Sequence, residues 1–173
     1  VQLGYTTAVA VVENFGMLDA FYPGRIDLGV GRSGQRRSEE GKPKPPREPR
    51  PPRVWHEVDG VVVPTPFNLR GLLDLDRLQA TMEILQKPEA VSPDFADQMA
   101  DILALLDGSY CAGGFDVHAV PGERSGLTPW VFGSTRGQSA RVAGALGLPF
   151  VASYHITPAT ALEAIDAYRD TFV

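Results

Sequence analysis

The sequence predicts an α/β fold with parallel strands, on three observations. Pro23 to Arg32, PGRIDLGVGR, reads as a strand with Ile26, Leu28 and Val30 on one face and Asp27, Gly29 and Gly31 on the other. The last third holds a compact strand–helix–strand unit, with strands at 129–133 and 150–154 and a helix at 138–147. An amphipathic helix over 6–22 enters the first strand through the short turn Pro23-Gly24, as α/β units prefer. Bulky aliphatics on one face of a strand and glycines on the other suit a barrel wall. The outer face packs on helices, and the bare inner face lets a ligand or backbone come close.

The bulk properties narrow the class. At 173 residues the chain is long enough for one domain, read here as 1–173, with a sizeable core. A closed barrel of eight strand–helix units typically needs roughly 250 residues. The chain also opens on Val1 and enters a helical pattern almost at once, so we expect a piece of a longer protein. A hydrophobic content of 43% and a formal charge of −5 describe an ordinary soluble protein with no electrostatic footprint for nucleic acid. No apolar run approaches the roughly 18 residues of a membrane span and no signal peptide is visible; a single cysteine fits a reducing cytoplasm, which is the expected compartment. The single cysteine, Cys111, forbids an internal disulfide, and its neighbours offer no activating base. His56, His118 and His155 lack ligand spacing with one another, so no metal site is expected.

Along the chain, helix 6–22 turns Ala8, Val11, Val12, Phe15, Leu18 and Tyr22 inward. Residues 33–53 are almost devoid of apolar side chains and dense in proline and charge, which predicts a mobile loop with polyproline stretches. Val54 to Phe67, broken by Pro64 and Pro66, reads as a short strand or a lid segment. A short helix is expected over 75–86. A second starts at Ser92-Pro93, cap then proline, and carries the stripe Phe95, Met99, Ile102, Leu103 and Leu106. A loop region containing His118 follows, to Thr128. Helix 138–147 should turn Ala140, Ala143 and Gly144 inward. Thr157-Pro158 opens a last helix carrying Leu162, Ile165, Tyr168 and Phe172.

Two elements carry chemistry. Arg32 stands at the carboxyl end of its strand, where parallel α/β sheets bind ligands, and a guanidinium there is a natural anion holder. The loop FGSTRGQSA, 132–140, places Ser134, Thr135, Gln138 and Ser139 at a helix start, where exposed N–H groups and the helix dipole favour a phosphate. The plain alternative is helix capping, for which Ser and Thr are preferred anyway.

Both segments resemble one family. FYPGRIDLGVGR and PWVFGSTRGQSARVAGALGLPFVASYHITP are similar to the matching motifs of the bacterial luciferase-like monooxygenases, in the same order. The resemblance implies a TIM (β/α)8 barrel, only part of it in this chain. It also implies that Arg32, Ser134, Thr135, Gln138 and Ser139 hold the phosphate of reduced FMN. The implied activity is a flavin-dependent monooxygenase, which oxidises a small aldehyde- or ketone-like substrate with O2. A separate flavin reductase would supply the reduced FMN, and a homodimer is compatible with the family. Gly31 stands where light-emitting luciferases carry a reactive cysteine, which argues against light emission. His155, in the family's HF-P-like position, is the candidate catalytic residue, with a structural histidine as the alternative. The family's best-known active-site histidine is expected outside this chain. Two other readings stay open: an F420-dependent reductase or dehydrogenase of the same superfamily, and a non-catalytic flavin-binding protein.

Overall fold

The computed structural model describes residues 1–32, 54–66, 75–86 and 90–173. The expected mobile loop over 33–53 lies outside the described residues. Helix α1, Ala8–Phe21, is capped by Thr7, whose side chain accepts from the Ala10 N–H at 3.2 Å. It stops where the sequence places Pro23-Gly24. Gly24 takes a left-handed φ of 68° and donates its N–H to the Asp19 carboxylate at 3.0 Å. Strand β1, Leu28–Val30, follows.

Among the described residues, two hairpins and two helices precede the second strand of the main sheet. His56–Val58 (β2) and Val61–Val63 (β3) form an antiparallel hairpin, so the stretch expected as one short strand or a lid is two strands. Its turn is Asp59-Gly60, with φ of 50° and 79°, the left-handed pair a two-residue hairpin turn requires. Helix α2 spans Leu75–Leu85 and helix α3 spans Phe95–Asp107. Asp94, rather than Ser92, is the N-cap of α3, accepting from the Ala96 N–H at 2.8 Å. The Ser92 hydroxyl is engaged elsewhere, donating to the Gly4 carbonyl at 3.2 Å. Gly108, at φ 77°, closes α3 in the left-handed form that glycine adopts without strain. A second small hairpin, Cys111–Ala112 (β4) with Phe115–Asp116 (β5), turns on Gly113-Gly114.

The last third follows the expected order: β6 Pro129–Gly133, α4 Gln138–Ala145, β7 Phe150–Ala152, a 3-10 turn at Pro158–Thr160 and α5 Ala161–Arg169. The main sheet has the order β1-β6-β7 and is parallel throughout. Register pairs Gly29 with Trp130 and Val30 with Val131, and then Val131 with Phe150 and Phe132 with Val151. The amino-terminal residues lie along the far side of β1, where Gln2 bridges Gly31 in parallel.

Because side chains alternate along a strand, the register sorts the sheet into two faces. Leu28, Val30 and Val131 are fully buried with Val12 of α1, Phe95, Met99 and Ile102 of α3, and Ala143 of α4. Trp130 and Phe132 stand on the opposite face, 39% and 41% exposed, beside Gly29. The predicted division of β1 into an aliphatic and a bare face therefore holds. Among the described residues the main sheet is open and three-stranded, beside two separate hairpins, and no closed barrel is formed.

Some inward assignments change. Leu18 and Tyr22 of the first helix are exposed, because α1 meets the core through Val11 and Val12. In α5 the buried residues are Ala161, Ala164 and Ala167, and Phe172 beyond it is exposed. Small residues let that helix sit close to α4, where a Cβ on Gly144 would strike the Thr171 side chain and the Tyr168 carbonyl.

Candidate functional site

Parallel pairing of β1 and β6 puts their carboxyl ends side by side, so Arg32 and the loop after Gly133 open on the same end of the sheet. Between them is a cavity of about 130 Å³, lined by Arg32, Ser134, Thr135, Gly137, Ser139 and Ser153 among others. Four of the predicted residues, Arg32, Ser134, Thr135 and Ser139, are thus brought together around one space. The fifth, Gln138, touches Arg32: its Oε1 accepts from Arg32 Nη1 at 2.7 Å. Ser139 and Ser153 are buried, and Arg32 is half-buried.

The loop geometry bears on the capping alternative. Gly137 is the N-cap of α4, and no side chain caps this helix. Ser134 and Thr135 both line the cavity, and neither is used as a cap. The loop is instead braced through its main chain. Thr160 Oγ1 donates to the Ser134 carbonyl at 2.5 Å, and the Gly137 N–H donates to the Thr135 carbonyl at 2.6 Å. A Cβ on Gly137 would sit 3.2 Å from Thr135 Oγ1 and 3.9 Å from Arg32 Nη2. Glycine at 137 therefore keeps open the space between the hydroxyl and the guanidinium.

Asp94 is a member of the site that sequence reasoning missed. Its carboxylate accepts from Gln138 Nε2 at 2.9 Å on Oδ1 and 2.8 Å on Oδ2. The Gln138 hydrogen bonds foremost, then the Ala96 N–H, hold the Asp94 carboxyl below its ordinary pKa, against a smaller opposing effect of burial. An Asp immediately before an apolar stripe is a legible cap, but its reach to a residue 44 positions away is not. His155 is exposed and does not line the cavity, although its neighbours Ser153 and Ile156 do. Among the described residues no three His, Cys, Asp or Glu side chains gather as a metal site, and no helix is long and apolar enough to cross a membrane.

Over 99% of its length the chain is similar to a luciferase-like monooxygenase of Escherichia coli (strain K12), 27% identical across 179 residues. The similarity is thus to a luciferase-like monooxygenase along nearly the whole of this chain. It is also 28% identical over 172 residues to the uncharacterized protein YvbT of Bacillus subtilis (strain 168). Among solved structures, the crystal structure of apo-MsnO8 matches all of the chain with a TM-score of 0.62 and 26% identity. The chain spans 38% of the length of those two sequence relatives and 39% of the apo-MsnO8 chain. No protein-family model matches it.

Proposed function

We propose that this chain is the phosphate-holding part of a flavin-dependent monooxygenase. In that reading its parallel sheet is an arc of a TIM barrel completed by further chain. The observation that carries the proposal is the convergence of Arg32 and the 134–139 loop on one cavity at adjacent strand ends. The residues fit a phosphate. The guanidinium supplies charge, Ser134 and Thr135 supply hydroxyl donors, and the uncapped start of α4 supplies N–H groups and the positive end of a helix dipole. At about 130 Å³ the cavity lies well below the roughly 300–1,000 Å³ of a pocket that encloses a drug-sized ligand. It suits the phosphate end of a cofactor and leaves the ring outside.

Bound reduced FMN would supply the activation of O2 and the oxidation of a small aldehyde- or ketone-like substrate. The chain's own part is to bind and orient. Arg32 and the loop would anchor one end of the cofactor, so that the far end keeps a fixed distance from the substrate. The bare face of β1, at Gly29 and Gly31, and the aromatic side chains Trp130 and Phe132 offer apolar surface beside that anchor. A separate flavin reductase would deliver the reduced cofactor.

Flavin titration tests the reading. FMN should bind better than riboflavin, which lacks the phosphate. Arg32→Ala should weaken FMN by about one to two decades, the equivalent of a hydrogen bond to a charged group, and leave riboflavin little changed. Equal affinity for the two flavins would overturn the phosphate assignment. Preference for F420 over FMN would favour the reductase or dehydrogenase alternative.

A further inference from the structure

We infer that Asp94 is a positioning residue for the anion site, fixing the guanidinium of Arg32 through the side chain of Gln138. The inference rests on the phosphate reading of the cavity given above. It starts from the polarity of an amide. Glutamine accepts only at its oxygen and donates only at its nitrogen, arginine only donates, and an ionised carboxylate only accepts. Gln138 stands between the last two. Its Oε1 is 2.7 Å from Arg32 Nη1, and its Nε2 is 2.8 and 2.9 Å from the two Asp94 oxygens. One orientation of the amide satisfies both neighbours, and the reverse orientation would oppose donor to donor and acceptor to acceptor.

Both outer ends of this relay are fixed to regular structure. Asp94 caps α3, its Oδ1 accepting from the Ala96 N–H, and the next residue, Phe95, is fully buried. Arg32 continues from Gly31, whose N–H donates to the Val1 carbonyl at 2.8 Å. Gln138 is the first residue of α4. Thus the start of one helix sets the direction of a side chain at the start of another, and that side chain sets the arginine at a strand end.

Interposing an amide also has an electrostatic consequence. Were the Asp94 carboxylate in direct contact with Arg32, it would offset the guanidinium's charge and repel a phosphate. Gln138 meets Nη1 with a neutral acceptor and keeps that carboxylate one side chain away, so Asp94 and Arg32 still attract each other, but less than a contact ion pair would.

Two variants separate this role from helix capping. Asp94→Asn keeps a capping side chain but puts an N–H donor beside Gln138 Nε2. Asp94→Ser also caps and is too short to reach Gln138. Both should keep the helix cap and lose only the stability that the Asp94–Gln138 bonds add, bind FMN about tenfold more weakly and bind riboflavin unchanged. The Arg32 guanidinium signals, assigned in nitrogen NMR by comparison with Arg32→Ala, should shift in both. In Asp94→Asn combined with Gln138→Glu, the new carboxylate at 138 can accept from the amide at 94 and from Arg32 together. The guanidinium signals should then recover while FMN affinity does not. If Arg32→Ala weakens FMN but both Asp94 variants stay within about twofold of the unmutated chain, the inference is overturned and the phosphate reading stands. If the unmutated chain binds both flavins alike, the phosphate reading fails, and the guanidinium signals alone decide. A shift in the Asp94 variants then supports the positioning role, and unmoved signals overturn it.

Discussion

Gly16 of α1 and Gly122, in the segment before β6, meet main chain to main chain, and neither has room for a Cβ. A methyl group at 16 would strike the Gly122 backbone, and one at 122 would strike the Val12 carbonyl. Alanine in a helix interior normally gains about 1 kcal/mol over glycine. Here the obstacle is backbone that cannot rotate away, and overpacking of this kind costs about 1–3 kcal/mol. We expect Gly122→Ala to destabilise by that full range. Gly16→Ala should cost less, because helix propensity offsets part of the clash. Urea unfolding midpoints with unchanged slopes are the measurement, and a stabilised Gly16→Ala would refute the close approach.

Gly29 presents the contrary case. Its absent Cβ would lie 2.9 Å from Cε2 of Phe132, the far end of a side chain that is partly exposed and free to swing. Gly29→Ala should therefore change stability by less than about 1 kcal/mol, well under the cost at Gly122. The visible effect should be on the ring. Phe132 aromatic signals should move in NMR, and a loss of stability equal to that of Gly122→Ala would show that the ring cannot yield.

The exposed β2–β3 hairpin is tied to the main sheet's end of the molecule by Tyr154, whose hydroxyl donates to the Val62 carbonyl at 2.6 Å. Removing it in Tyr154→Phe should cost about 0.5–1.5 kcal/mol, the net worth of one such bond. The loss should fall locally. Amide exchange should quicken at residues 56–63 and stay unchanged in β6 and α3, and uniform acceleration would contradict the assignment.

Acid should act on Asp94 in one direction. Its folded carboxyl lies below the ordinary value, chiefly through the Gln138 hydrogen bonds. The stability it contributes is complete above the unfolded carboxyl value of about 4 and is lost as pH falls through the lowered folded value. Unfolding midpoints measured between pH 6 and pH 2 should fall less steeply at the acid end in Asp94→Asn than in the unmutated chain. Parallel curves would mean that Asp94 titrates normally.

Much of this architecture was legible because its signals are local. The two faces of β1 follow from alternation alone, and the unit β6-α4-β7 from period changes between Pro129 and Ala152. The hairpin at Asp59-Gly60 carried a readable turn pair, which the prolines at 64 and 66 obscured. What local pattern could not supply was choice between equivalent signals. Ser92 and Asp94 are both good caps, and the Gly4 carbonyl, distant in sequence, engages Ser92 and leaves Asp94 at the helix start. In α1 the apolar residues fall on more than one side. Only tertiary packing selects Val11 and Val12 over Leu18 and Tyr22. The site divides in the same way. Arg32 and the 134–139 loop are recognisable segments, whereas Asp94 joins them through a contact that no spacing encodes.

The register of the sheet also bears on how the chain assembles. Pairing β6 with β7 joins Val131 to Phe150, close in sequence, while pairing β1 with β6 joins Leu28 to Pro129 across most of the chain. Closing a loop about five times longer costs roughly 1.4 kcal/mol more in chain entropy. The carboxyl-terminal strand–helix–strand unit is thus the expected nucleus, and β1 docks onto it late. Arg32 arrives with β1, so the cavity takes its final form only at the end of folding.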